Sequence, residues 1–284
     1  MPHNFITVQE IARQALPRLI ENLVMPSLMH RDFSNDFVQG KGATIQVRKP
    51  NALVAKAFTT EIEAQDINES TIPVTLDKFA DVSVKLSAIE MATNVDDLNR
   101  IFIEPASVAL AEKINSDGLA LLKEITASAT GDPKTLAPFS QASMVLNKAK
   151  VPLTPRYGVW SPDALADFQT IPAIVNAEKS GTTNALRAGS IGRVFGIDNY
   201  MAQGVDSASM LGAVFHPFAF AFVTRPLTVP KGVECYTTSY NGISLRVTRG
   251  YDIKTKEDII SMDVLYGYKT LEKNLATKVV AAEA

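Results

Sequence analysis

Residues 43–86 change the period of the chain to two, and that change most limits what the chain can fold into. In "TIPVTLDKFADVSVKL", Val82, Val84 and Leu86 alternate with Asp81, Ser83 and Lys85, the pattern of a half-buried strand. Upstream, "ATIQVRKP" and "ALVAKAF" also read as strand, and "TTEIEAQDINES" separates them from the return. The expectation is a long hairpin with a polar end. Between 57 and 77 lie Glu61, Glu63, Asp66, Glu69 and Asp77 with no lysine or arginine, whereas the stem carries Lys41, Arg48, Lys49 and Lys56. A two-stranded hairpin alone is marginal in water. One this long needs support, and another subunit is a natural candidate.

The rest of the chain alternates helix and strand. Residues 7–25 open with Thr7 and Glu10 as a capping box, and Val8, Ile11, Ala15, Leu19 and Leu23 give one apolar face. Pro17 is expected to kink or divide that helix. A longer helical stretch covers 94–127, with Asn94 as cap and Asp96 and Asp97 near the positive end. Pro105 breaks the run and restarts it, with Leu110, Ile114, Leu121 and Ile125 on one face. Beyond residue 139, "SQASMVLNKAK" and "SPDALADFQ" read as helices and "RYGVW" as a strand; "NAEKSGTTNALRAG" reads as a loop. "HPFAFAFVTRPL" alternates Phe218, Phe220 and Phe222 with Ala219, Ala221 and Val223, and "GISLRVTRGYD" and "DIISMDVLYGYKTL" form two strands around "IKTKE". The class is α+β with several non-local pairings.

Chemistry finds little foothold. "RAGSIGRVFGIDNY" sets Gly189, Gly192 and Gly196 around Arg193, but matches neither a dinucleotide fingerprint nor a P-loop, so it reads as a turn from which Val194, Ile197 and Tyr200 enter a strand. His3, His30 and His216 are too scattered for a short metal motif, and His216 reads as a polar strand-end residue. Cys235 is the single cysteine, which excludes disulfides within the chain, points to a reducing compartment and reads as inert packing. Ser161 and Ser190 lie in no nucleophile elbow. The pairs Asp96–Asp97 and Glu61–Glu63 are accounted for by capping and by a solvated loop, and a single Trp160 offers no stacking platform. The formal net charge of −2 invites neither tight nucleic-acid binding nor disorder. The N-terminus lacks the pattern of a signal peptide, and the apolar run 208–223 falls short of the roughly 18 residues of a membrane span. No cofactor, metal or catalytic residue is expected.

The joint order of these segments, with "RYGVWSPDAL", "GTTNALRAGSIGRVFGIDNYMAQGV", "HPFAFAFVTRPL" and "GISLRVTRGYDIKTKEDIISMDVLYGYKTL", resembles the major capsid (coat) proteins of tailed bacteriophages, in particular the short-tailed-phage coat-protein branch. The resemblance runs from about residue 5 to 275. It implies the tailed-phage capsid fold with an N-terminal arm (1–47), an extended β-hairpin loop (48–85), a peripheral domain with a long spine helix (86–134), an axial domain (135–217) and a return to the peripheral sheet (218–284). The glycine-rich stretch would then shape an axial-domain turn. Some coat proteins of the branch carry an inserted domain, for which this chain has no room, and no fused scaffolding segment or pro-piece is visible. Some relatives cross-link through a loop lysine; Lys56 matches no such motif and reads as a surface charge.

The implied role is structural: many copies, as pentamers and hexamers, form an icosahedral shell around double-stranded DNA. The implied partners are a portal protein, a separate scaffolding protein and weakly, non-specifically held DNA, with no membrane; the implied location is the virion, assembled in the host cytoplasm. The expected subunit interface pairs the acidic loop (Glu61, Glu63, Asp66, Glu69) with basic groups at Lys56, Arg246 and Arg249. Alternatives are an encapsulin-type nanocompartment shell, a soluble oligomeric α+β enzyme and a small-molecule binding module.

Overall fold

The computed structural model describes residues 8–31, 33, 43–49, 55, 70–87, 102–176, 191–240, 242–254 and 257–282. Helix α1 (Val8–Glu21) buries Val8, Ile11, Ala12, Ala15, Leu16 and Leu19 along one stripe. Pro17 sits on the exposed side and the helix runs through it undivided, because the deficit of one backbone donor falls where water can compensate. The helix ends at Glu21, short of residue 25. Asn115, on the long helix Glu104–Ala120, accepts from Val24 N at 3.0 Å and Met25 N at 3.2 Å and donates to Asn22 O at 2.8 Å. That side chain binds groups that a continuing helix would have paired internally. Thr7, the expected cap, and residues 94–101 lie outside the described residues.

The strands, in chain order, are β1 (Thr44–Lys49), β2 (Ser70–Thr75), β3 (Lys78–Ser87), β4 (Ser128–Gly131), β5 (Tyr157–Trp160), β6 (Arg193–Val194), β7 (Ile197–Met201), β8 (Gly212–Phe215), β9 (Phe220–Arg225), β10 (Glu234–Tyr240), β11 (Ile243–Asp252), β12 (Glu257–Thr270) and β13 (Ala276–Ala281). One antiparallel sheet has the order β10-β11-β12-β3, with β9 pairing the far end of β12. Along β12, Ile260, Met262, Val264, Tyr266 and Tyr268 alternate onto one face, which joins the core formed with α1 and the long helix. The long helix begins as the proline argument requires, with Pro105 in its first turn, and buries Leu110 and Ile114.

Two tyrosines tie this helix to the sheet: Tyr268 Oη donates to Ile114 O at 2.9 Å and Tyr266 Oη to Asp117 Oδ2 at 2.7 Å. Burial pushes the Asp117 carboxyl up, but hydrogen bonds from Tyr266 and Lys113 and the charges of Lys78 and Lys113 outweigh it, so the group lies below the usual carboxylate range. A carboxyl depressed in the folded state adds stability that is present above its unfolded pKa of about 3.9 and is lost as pH falls through the lower folded value. Asp117→Asn is therefore expected to lower Tm at pH 7 by about 3 °C, near 1 kcal/mol for a chain of this size, and to remove that part of the acid sensitivity below pH ~4. Calorimetry from pH 7 to pH 3 checks both.

The hairpin is β1 against β2, in register from Thr44↔Thr75 to Lys49↔Ser70. The alternating residues 81–86 do not belong to its return strand. After the two residues Leu76 and Asp77 the chain enters β3, which pairs with β12 from Lys78↔Tyr266 to Ser87↔Glu257. The base of the hairpin is seated on the main sheet. Leu76 N donates to Ala43 O at 2.8 Å, and Val74 and Leu76 pack with Val223, flanked by Ile45, Val47 and Leu265. At Gly267 a Cβ would stand 1.9 Å from Thr75 O, so this close crossing requires glycine.

A second, mixed sheet has the order β4-β13-β8-β5-β7-β6. Phe139, Trp160 and Phe168 fill a separate core on one side of it, with ring centroids 4.6–5.0 Å apart. Ser161 caps the helix Pro162–Phe168 by accepting from Ala164 N at 3.2 Å, as its Ser-Pro start predicts. Strand β8 is buried throughout and lies between β13 and β5, while β9 is buried from Phe220 to Thr224 in the other sheet. The apolar run 208–223 is thus two strands, each covered on both faces, turning at Pro217. β4 and β13, from segments that the resemblance assigns to the peripheral domain, hydrogen-bond within this second sheet. Among the described residues no helix is long and apolar enough to cross a membrane.

Candidate subunit interface

The glycine-rich stretch is a tight hairpin turn. Phe195 (φ 48°) and Gly196 (φ 79°) both take the left-handed region between paired Val194 and Ile197, the geometry of a primed two-residue turn. Arg193 lies 3.6 Å from Asp198 across the hairpin, and Asn199 Nδ2 donates to Gly192 O at 2.9 Å while its Oδ1 accepts from Trp160 Nε1 at 2.8 Å. The basic residue is engaged within its own hairpin, which supports the turn reading. Gly189 and Ser190 lie outside the described residues. At the turn's tip Phe195 is 58% exposed, an uncommon residue in a backbone region that favours glycine and asparagine.

Of the expected interface residues, Lys56, Glu61, Glu63, Asp66 and Glu69 lie outside the described residues. Arg246 and Arg249 are both on β11, three residues apart, and so point to opposite faces of the sheet. Arg246 forms a fork with Asp263, its direct cross-strand neighbour, through Nε (2.9 Å) and Nη2 (2.8 Å), and Nη1 donates to Thr228 O at 3.1 Å. Arg249 pairs with Asp258 at 2.9 Å. The two arginines form no common patch. Burial pushes the Asp263 carboxyl above its ordinary range, and this outweighs what the Arg246 guanidinium returns; Asp81, next to it in the same cross-strand row, pushes in the same direction. The Asp263 hydrogen bonds, with burial opposing them, raise Arg246.

His30 and His216 converge. Phe218 stacks on His216 with centroids 5.6 Å apart and lies 4.4 Å from His30, which also meets Phe33 edge-on at 4.6 Å. His216 Nδ1 accepts from Phe218 N at 3.3 Å, so the imidazole caps the short turn Pro217–Ala219, and burial followed by the charge of Arg156 pushes its pKa down. No group of metal-ligating side chains occurs among the described residues.

A feature absent from the sequence reading lies beside the Phe195 turn. A groove of about 780 Å³ runs between helix Ala137–Lys148 and that turn, with Arg156 and Ser143 in its wall and Met144, Leu153 and Phe195 around it. The exposed fractions of those three apolar side chains are 41%, 69% and 58%. In the sequence, Arg156 is simply the first residue of "RYGVW", which reads as a strand.

No protein-family model matches this chain, and no curated protein matches it in sequence. Solved structures do. A chain from Mycobacterium phage Che8 superposes with a TM-score of 0.70 at 19% identity, covering 90% of each chain. The mature capsid of bacteriophage PhiM1 gives 0.62 at 13% identity, covering 87% of this chain and 84% of that one. A virus-like particle from Pyrococcus furiosus gives 0.53 at 9%, covering 95% and 98%. The chain therefore has the α+β fold of phage major capsid structures across about nine-tenths of its length.

Proposed function

We propose that this chain is a major capsid protein: a structural, non-catalytic subunit, many copies of which close into an icosahedral shell around packaged double-stranded DNA. The likeness to capsid structures over about 90% of both chains is the observation that carries the reading. The hairpin supports it, because its base is seated on the main sheet and the acidic residues between its strands suit a charge-complementary contact with a neighbour. Pentamers and hexamers of the chain, a portal protein, a separate scaffolding protein and weak, non-specific DNA contact complete the proposal, as does a virion location after assembly in the host cytoplasm. The order of the quoted segments supports the short-tailed branch in particular.

Reversing Glu61, Glu63 and Asp66 to lysine is expected to leave the subunit folded by circular dichroism while closed particles disappear from electron micrographs. Normal particles from that triple variant would overturn loop docking. Expression of the parent chain, alone or with neighbouring genes, tests the shell itself. A second reading, an encapsulin-type compartment, draws on the Pyrococcus furiosus particle, whose chain is covered to 98%. Portal and terminase genes beside this one would favour the phage reading, and a cargo-enzyme gene the compartment.

A further inference from the structure

Arg156 is 2% exposed, and its guanidinium is held from one side. Nε donates to Pro152 O at 2.8 Å; Nη2 donates to Asn147 Oδ1 at 2.8 Å and to Val151 O at 2.7 Å. All three acceptors are neutral. Among the described residues Nη1 makes no hydrogen bond and no carboxylate pairs with the group. A buried cation without a counter-charge is a costly arrangement, and burial pushes this guanidinium's pKa down. The carbonyl end of helix Ala137–Lys148 offsets part of that cost. It does not explain the surroundings: Ser143 Oγ, in the same groove wall, is buried without a partner, and three large apolar side chains stand in water around the opening.

We propose that this groove receives a carboxylate-bearing segment from a second copy of the chain. The inference rests on the shell reading. A lone buried guanidinium and an orphan hydroxyl match a carboxylate, and Met144, Leu153 and Phe195 close over the pair and keep water from it. A DNA phosphate would satisfy Arg156 but leave those apolar groups uncovered. Groove on one copy and segment on the next make a head-to-tail contact, which repeats around a ring without self-complementarity.

The test places the photo-reactive residue p-benzoylphenylalanine at Leu153, a 69% exposed position that folding does not need. Irradiated particles are expected to yield covalent oligomers whose mapped peptides contain Asp or Glu from a second copy. Ser143→Asp supplies a carboxylate from within the same chain. It is expected to preserve or raise the Tm of the free subunit while slowing assembly roughly tenfold or more, whereas Ser143→Ala, which removes the hydroxyl but adds no competing charge, slows assembly less. Closed particles in which the probe labels only DNA or nothing overturn the groove assignment alone, as does Ser143→Asp assembling at the parental rate. A chain that stays monomeric at every concentration overturns the shell reading and this inference together.

Discussion

Arg246→Met is expected to be the most damaging single change in the main sheet, costing about 3–5 kcal/mol of folding stability. The loss comes less from the pair's own attraction than from what remains. Asp263 is 3% exposed, with Asp81 beside it in the cross-strand row, and its carboxylate would have no cation left. The variant should therefore be strongly pH-dependent. A carboxyl whose folded pKa is raised keeps its stability below the unfolded pKa of about 3.9 and loses it as pH rises through the folded value. The wild type shares this tendency weakly, since Asp263 is already raised. The stability gap between the two should narrow as pH falls from 7 toward 4. Arg246→Met combined with Asp263→Leu should recover most of the loss, because two apolar groups carry no buried charge. Urea denaturation of the four forms, as a double-mutant cycle at pH 7 and pH 5, measures each quantity; equal losses in the single and the double variant would refute the account.

Gly267→Ala is expected to unseat the hairpin. Its new Cβ would overlap Thr75 O, a backbone atom that moves only if the β1–β2 base moves with it. Overpacking of this kind reaches about 3 kcal/mol, or roughly 6–10 °C in Tm for a chain of this size. The sharper readout is local. Proteolysis between residues 43 and 77 should accelerate more than tenfold while the far-UV spectrum changes little, since strain at the seat opens the hairpin before the sheet. Gly250→Ala is the control: it is a strand glycine in the same sheet whose added Cβ meets nothing within 4 Å. Near-parental behaviour is expected there.

Local signals were legible in the sequence and relational ones were not. Pro105 marked where the long helix restarts and Ser161 the cap of the helix Pro162–Phe168, because both act within one turn of chain. The antiparallel pair at 243–252 and 257–270 was legible because alternation and a short polar turn determine it. Separation of the hairpin from β3 was hidden, since the break at Leu76 and Asp77 shows only once β12 is known to be the partner. The meeting of His30 and His216 at Phe218 depends on packing between distant segments, which no spacing encodes. The arginines were a different case. Their spacing of three already implies opposite faces of a strand, so their separation was legible by counting. Arg156 was illegible because its importance lies in a missing partner.

β13 slots between β4 and β8, far downstream of the strands that flank it. While the ribosome is still extending the chain, β4 has an empty seat beside it and cannot be locked in place. The second sheet therefore closes only after residues 276–281 have left the exit tunnel. Products cut short of residue 276 lack that keystone and leave β4 and β8 without the strand that joins them.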